Sequence, residues 1–190
     1  HDNDSFAGID LDDWTEEHMS RSAAPLQQAT RMIVDALLLS PDNLDNEQFA
    51  TRQKDWRVKL KDKSADGAVG RMFSRAILET VGGYMNRQLE KGSWKVAAEA
   101  SRYRLSIYLL VYGRYHPLVP LEILTLSSCL WNIGMAGVTR DVQHLLQAML
   151  PLMRITHPSA QRDNTPFYRQ YAGLSKKVDC ELRRLQGWPL

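Results

Sequence analysis

From Phe167 onward the apolar side chains fall at steps of three and four: Phe167, Tyr171, Leu174, Val178, Leu182 and Leu185. That spacing returns every one of them to the same side of an α-helix, whereas a strand would scatter them over both faces. Thr165-Pro166 ahead of the run is a helix start, and "GWP" at 187–189 behind it is a stop. The same rhythm recurs upstream. Leu26, Ala29, Ile33 and Leu37 make one stripe within 23–39, and Val69, Met72, Phe73, Ala76 and Ile77 another within 68–92. Ser93 is placed to cap a helix over 94–115, and Pro120 to open one over 120–137, whose long apolar run predicts a central, buried element. A sixth helix, capped by Thr139, carries Val142, Leu145, Leu146, Met149 and Leu150 on its apolar face. Gly82-Gly83 is expected to kink or split its helix, and Pro151 to bend or shorten its own. The fold class read from this pattern is all-α: a compact bundle of six to seven helices, one domain over 21–190, with an extended acidic arm over 1–20.

One stretch resists that rhythm. In "WRVKLKDK", residues 56–63, a cation stands at every second position, at Arg57, Lys59, Lys61 and Lys63. As a strand this would present one basic face, with cations about 6.6 Å apart, near the phosphate repeat of an extended nucleic acid. An isolated strand is not stable, however, and no partner strand is evident elsewhere. A helix from Asp45 to Asp62 puts Phe49, Trp56 and Leu60 on one stripe and leaves only Val58 off it. The segment is therefore read as a helix with a wet, basic side. From Arg52 to Lys63 it holds six cations (Arg52, Lys54, Arg57, Lys59, Lys61, Lys63) against two acids. That is either a solvated helix face or a phosphate-binding one.

The net charge of +2 conceals a division. Residues 1–17 hold seven acids and no Lys or Arg, leaving 24 bases against 15 acids in the rest. Among those acids stand Phe6, Ile9, Leu11 and Trp14, a composition that suits an arm ordered only on docking. Its expected partner is another protein, a neighbouring subunit or the body of its own chain; the plain alternative is a poorly ordered terminus.

A second basic segment, "SRYRLSIYLLVYGRYH" at 101–116, interleaves Arg102, Arg104 and Arg114 with Tyr108, Tyr112 and Tyr115. Arginines and tyrosines so placed can neutralise phosphates and stack bases, or can bury their rings in a core with hydroxyls at the rim. The Gly67-x-x-Gly70 before a helix lacks the Gly-Lys-Ser/Thr of a P-loop and reads as a flexible helix start.

Signatures of catalysis and metal binding are missing from the sequence. The five histidines form no H-E-x-x-H or Glu-x-x-His pair, and neither Cys129 nor Cys180 belongs to a C-x-x-C. Two such cysteines point to reduced thiols and a cytoplasmic or nuclear setting. The longest apolar run, at 105–112, is far short of the ~20 residues that span a bilayer. No leader pattern is visible in a sequence that starts at His1 rather than Met, which leaves the native N-terminus open. The expectation is a non-enzymatic assembly protein without cofactor or metal. Its basic face would bind RNA or DNA with weak sequence preference, and its acidic arm a protein partner or a second subunit. A protein-only adaptor, whose basic face meets an acidic partner, is the alternative.

Overall fold

The structure, a computed structural model, describes residues 23–39, 45–62, 73–134 and 136–186. Among these residues there are seven α-helices and no strand. They are α1 (Ala23–Leu37), α2 (Asn46–Asp62), α3 (Arg75–Glu90), α4 (Trp94–Val111), α5 (Leu118–Ile133), α6 (Thr139–Thr156) and α7 (Pro166–Leu185). A single 3-10 turn, Ala136–Val138, joins α5 to α6. The acidic arm and its anchors Phe6, Ile9, Leu11 and Trp14 lie outside the described residues, as do Lys63, Gly67, Val69, Gly70 and Met72.

α4 is the hub, packed against α1, α2, α3 and α5. Leu105 to Leu110 are buried without a break, so this part of the helix is covered on every side. α5 was expected to be central, and it too is deeply buried, between α4 on one side and α6 with α7 on the other. The doubtful segment at 56–63 is helical as far as Asp62. Phe49 and Leu60 are buried beneath it, Trp56 is half-buried, and Val58 is left exposed, as the helical reading required.

Three local expectations are revised. Gly82-Gly83 neither splits nor ends α3, which runs through to Glu90. Gly82 is buried because the guanidinium of Arg104 lies against it; a Cβ there would stand 3.3 Å from Arg104 Cζ. The glycine makes room for an arginine. Pro151 likewise sits inside α6, which continues to Thr156. Met149, Leu152 and Met153 on either side of it are buried, and their burial at about 1.5–3 kcal/mol each outweighs one missing hydrogen bond. α5 begins at Leu118, so Pro120 falls within the first turn, where its absent N–H is no loss. Thr165, by contrast, caps as expected: its hydroxyl accepts from the Tyr168 N–H at 3.2 Å.

The arginine lodged against Gly82 has a partner across the core. Arg104 Nη2 stands 2.9 Å from Glu122 Oε1 on α5, with both side chains largely buried. Glu122 Oε2 and Arg104 Nε have no hydrogen-bond partner among the described residues. Burial pushes the Glu122 carboxyl up to about 7, more than the Arg104 charge pulls it down. The folded state therefore holds this proton more tightly than the unfolded chain does. The resulting stability is fully present below the ordinary carboxyl range and is lost as pH rises through about 7. The shift corresponds to roughly 3 kcal/mol. Chemical denaturation at about pH 5 and pH 8 is expected to show lower stability at the higher pH. Glu122→Gln, which has no proton to lose, should remove most of that difference.

Candidate functional site

Cations can face solvent or serve the fold, and the geometry sorts them. The last carbonyls of a helix have no intrahelical donor. At the end of α4 those carbonyls lie under α2, which supplies the donors. Gln53 Nε2 donates to the Leu109 carbonyl at 2.7 Å. Arg57 donates through Nε at 2.8 Å and through Nη2 to the Leu110 carbonyl, and through Nη2 to that of Val111 at 3.3 Å. A cation at a helix C-terminus also meets the negative end of its dipole. Arg52 extends the pattern to α1, its Nη1 reaching the Ala36 carbonyl at 3.5 Å. Arg114 donates to Asn46 Oδ1 at 2.9 Å and lies over the rings of Phe49 and Tyr115.

The other residues of the second segment are held as firmly. Arg102 pairs with Glu99 at 2.7 Å, and Arg31 of α1 meets the same oxygen at 2.8 Å. Arg104 is paired with Glu122. Tyr108 is only 5% exposed, its ring stacked on His116 at 5.2 Å. The interleaving of Arg and Tyr at 101–116 thus builds the helix packing, and Tyr108 presents no open face on which a base could stack. From the first segment, Lys54 and Lys59 remain exposed without an ion-pair partner among the described residues, Lys59 lying over the Trp56 ring at 5.1 Å. The Lys61 side chain lies outside the described set.

A stronger cationic surface stands on α7. Its inner face, with Leu174 and Val178 buried and Phe167, Tyr171 and Leu182 partly so, packs on the core. Its outer face carries Arg169, Lys176, Lys177, Arg183 and Arg184, all exposed. Arg169, Lys176 and Arg183 are seven residues apart and drift only ~20° per step, forming a ridge about 21 Å long. Arg184 is held by Glu181 at 2.6 Å. Arg169, Lys176, Lys177 and Arg183 have no ion-pair partner among the described residues, and the acids on α7 are Asp179 and Glu181. The seven-residue spacing of these cations is visible in the sequence, opposite the apolar stripe of the same helix.

At the foot of the ridge a cleft of about 250 Å³ opens between α5, α6 and α7, lined by Trp131, Val138, Thr139, Val142, Glu181 and Arg184 among others. It is smaller than most small-molecule sites, and its two charges neutralise each other. Among the described residues, no group of three His, Cys, Asp or Glu stands close enough to hold a metal, and no helix is long and apolar enough to cross a membrane. Compared with known proteins, the chain matches no family model, no curated sequence and no solved structure.

Arg57→Ala should lower stability by about 1–3 kcal/mol in urea denaturation, because it strips donors from covered carbonyls. Lys54→Ala should change it by less than about 0.5 kcal/mol.

Proposed function

We infer that the chain is a non-enzymatic helical assembly module that binds nucleic acid by its phosphates, and whose acidic N-terminal arm docks on protein. The observation that carries the first part is the outer face of α7. Four exposed cations there have no ion-pair partner among the described residues, and three of them, Arg169, Lys176 and Arg183, follow a line long enough to track several phosphates. Lys54 and Lys59 on α2 offer a smaller second contact. α2 lies against α1 and α4, while α7 lies against α5 and α6, so the two basic surfaces belong to different parts of the bundle. Such a module could hold two stretches of one polyanion. The ridge consists of point charges on flexible stems, with no exposed ring among them, which favours phosphate contact over base readout.

Titration of labelled single-stranded RNA and duplex DNA at about 50 and 200 mM salt tests this reading. Affinity should fall steeply with salt, by a slope near 0.9 per phosphate contacted on duplex. Lys176→Ala/Lys177→Ala/Arg183→Ala should reduce that slope by about 2–3, and Lys54→Ala/Lys59→Ala by less. An absence of binding at the lower salt would overturn the nucleic-acid reading in favour of an adaptor whose ridge meets an acidic protein.

A further inference from the structure

α4 ends at Val111 with Tyr112 as its C-cap, and Gly113, at φ 87, turns the chain towards α5. The turn brings Val111, Tyr112, Tyr115 and Leu118 to the surface, each 37–40% exposed. The rings of Tyr108, Tyr112 and His116 form a mutually packed trio, with centroids 5.9, 5.2 and 4.7 Å apart, beneath this patch. Its flanks are cationic: Arg57 reaches the Leu110 and Val111 carbonyls, and Arg114 lies 4.8 Å from the Tyr115 ring. From Leu105 to Leu121 the chain contains no Asp or Glu. Exposed tyrosines and a leucine beside arginines, on a stretch of chain without acids, have the make-up of an interface centre. A scattered apolar surface would not need that company.

An occupant must bring apolar anchors and carry acids rather than bases, since the charges of Arg57 and Arg114 are felt across the patch while their guanidinium groups stay on the carbonyls and on Asn46. Residues 1–17 meet these conditions, with Phe6, Ile9, Leu11 and Trp14 among seven acids and no Lys or Arg. Reach is sufficient. α1 lies along α4 with Arg31 at Glu99, and its far end, at Ala36, meets Arg52 of the helix that covers the end of α4. The chain therefore enters α1 eight residues, about 12 Å, before Arg31, whereas Val111 lies twelve residues, about 18 Å, beyond Glu99, so the arm must return by roughly 30 Å. The twelve residues from Leu11 to Ala23 span up to about 40 Å when extended, and the seventeen from Phe6 up to about 56 Å.

The geometry points to the patch of Val111, Tyr112, Tyr115 and Leu118 as the docking surface for the N-terminal segment Phe6–Trp14 of the same chain. It rests on the reading of that segment as a docking arm and not on nucleic-acid binding, so the two fail separately. Docked there, the arm covers the aromatic patch and sets its carboxylates beside Arg57 and Arg114. The α7 ridge stays open.

Hydroxyl-radical footprinting of the full chain, without nucleic acid, tests the assignment at the side chains concerned. Tyr112 and Tyr115 should oxidise several-fold faster in Phe6→Ser/Leu11→Ser/Trp14→Ser than in the unaltered protein. The buried Tyr103 serves as the internal control and should not change. In the reciprocal variant Tyr112→Ser/Tyr115→Ser, which alters only half-exposed side chains, Trp14 should oxidise faster. Both protections should be unaffected by tenfold dilution. Equal rates for Tyr112 and Tyr115 with and without the arm anchors would overturn the proposal. Protection that disappears on dilution would overturn it too, in favour of the arm of a second copy.

Discussion

The end of α4 is covered by another helix, and covered carbonyls need donors. Leaving one such group unsatisfied costs about 1–3 kcal/mol, comparable to the burial of an apolar side chain. Gln53 and Arg57 meet that demand at Leu109, Leu110 and Val111, which is why a helix of low overall hydrophobicity can lie on the core at all. Phe49, Trp56 and Leu60 give α2 only a narrow apolar stripe. Its arginines complete the attachment. The alternation of cations that makes residues 56–63 resemble a basic strand is thus partly a docking device between helices.

That use of charge decides which cations remain for a ligand. An arginine whose guanidinium already meets carbonyls or a carboxylate would have to abandon them to reach a phosphate, leaving buried groups unpaired. Arg57, Arg102 and Arg104 are in this position. Exposed lysines such as Lys54 on α2 and Lys176 and Lys177 on α7 have no ion-pair partner among the described residues to abandon. Density of positive residues in the sequence is therefore a poor guide to phosphate affinity. Exposure without a competing acceptor is the better one.

The fold was legible because apolar spacing is a local property: the stripes in α1, α6 and α7 predict which faces turn inward, although Leu185, at the end of the α7 stripe, is exposed. Less legible were features that depend on a distant neighbour. Gly82-Gly83 reads as a kink or split until Arg104 is seen against it, and Pro151 as a bend or an early end until α6 is seen to continue with Met149, Leu152 and Met153 in the core. The candidate surface shows the same limit. Tyr108, Arg102 and Arg104 carry the residue types of a nucleic-acid site, but Glu99 and Glu122 give the two arginines their partners and His116 covers the tyrosine. The ridge at Arg169, Lys176 and Arg183 was legible in principle, since it depends only on seven-residue spacing opposite an apolar stripe.

The buried pair of Arg104 and Glu122 follows from the same reasoning carried into the core. Two apolar residues of similar volume would spare the desolvation that raises the Glu122 carboxyl, so the pair is not explained as a source of stability. What it does is geometric. Arg104 on α4 touches Gly82 on α3, reaches Met85 Sδ at 3.9 Å and ends on Glu122 of α5. A sliding of α3 or α5 along α4 by even one residue would leave a guanidinium or a carboxylate unpaired in the core. Apolar side chains tolerate such slips far better, because one methyl replaces another with little loss. The Arg104–Glu122 pair therefore ties α3 and α5 to the hub in one register. With that register set, the end of α4 arrives where α2 can cap it and where Tyr112, Tyr115 and Leu118 come together at the surface.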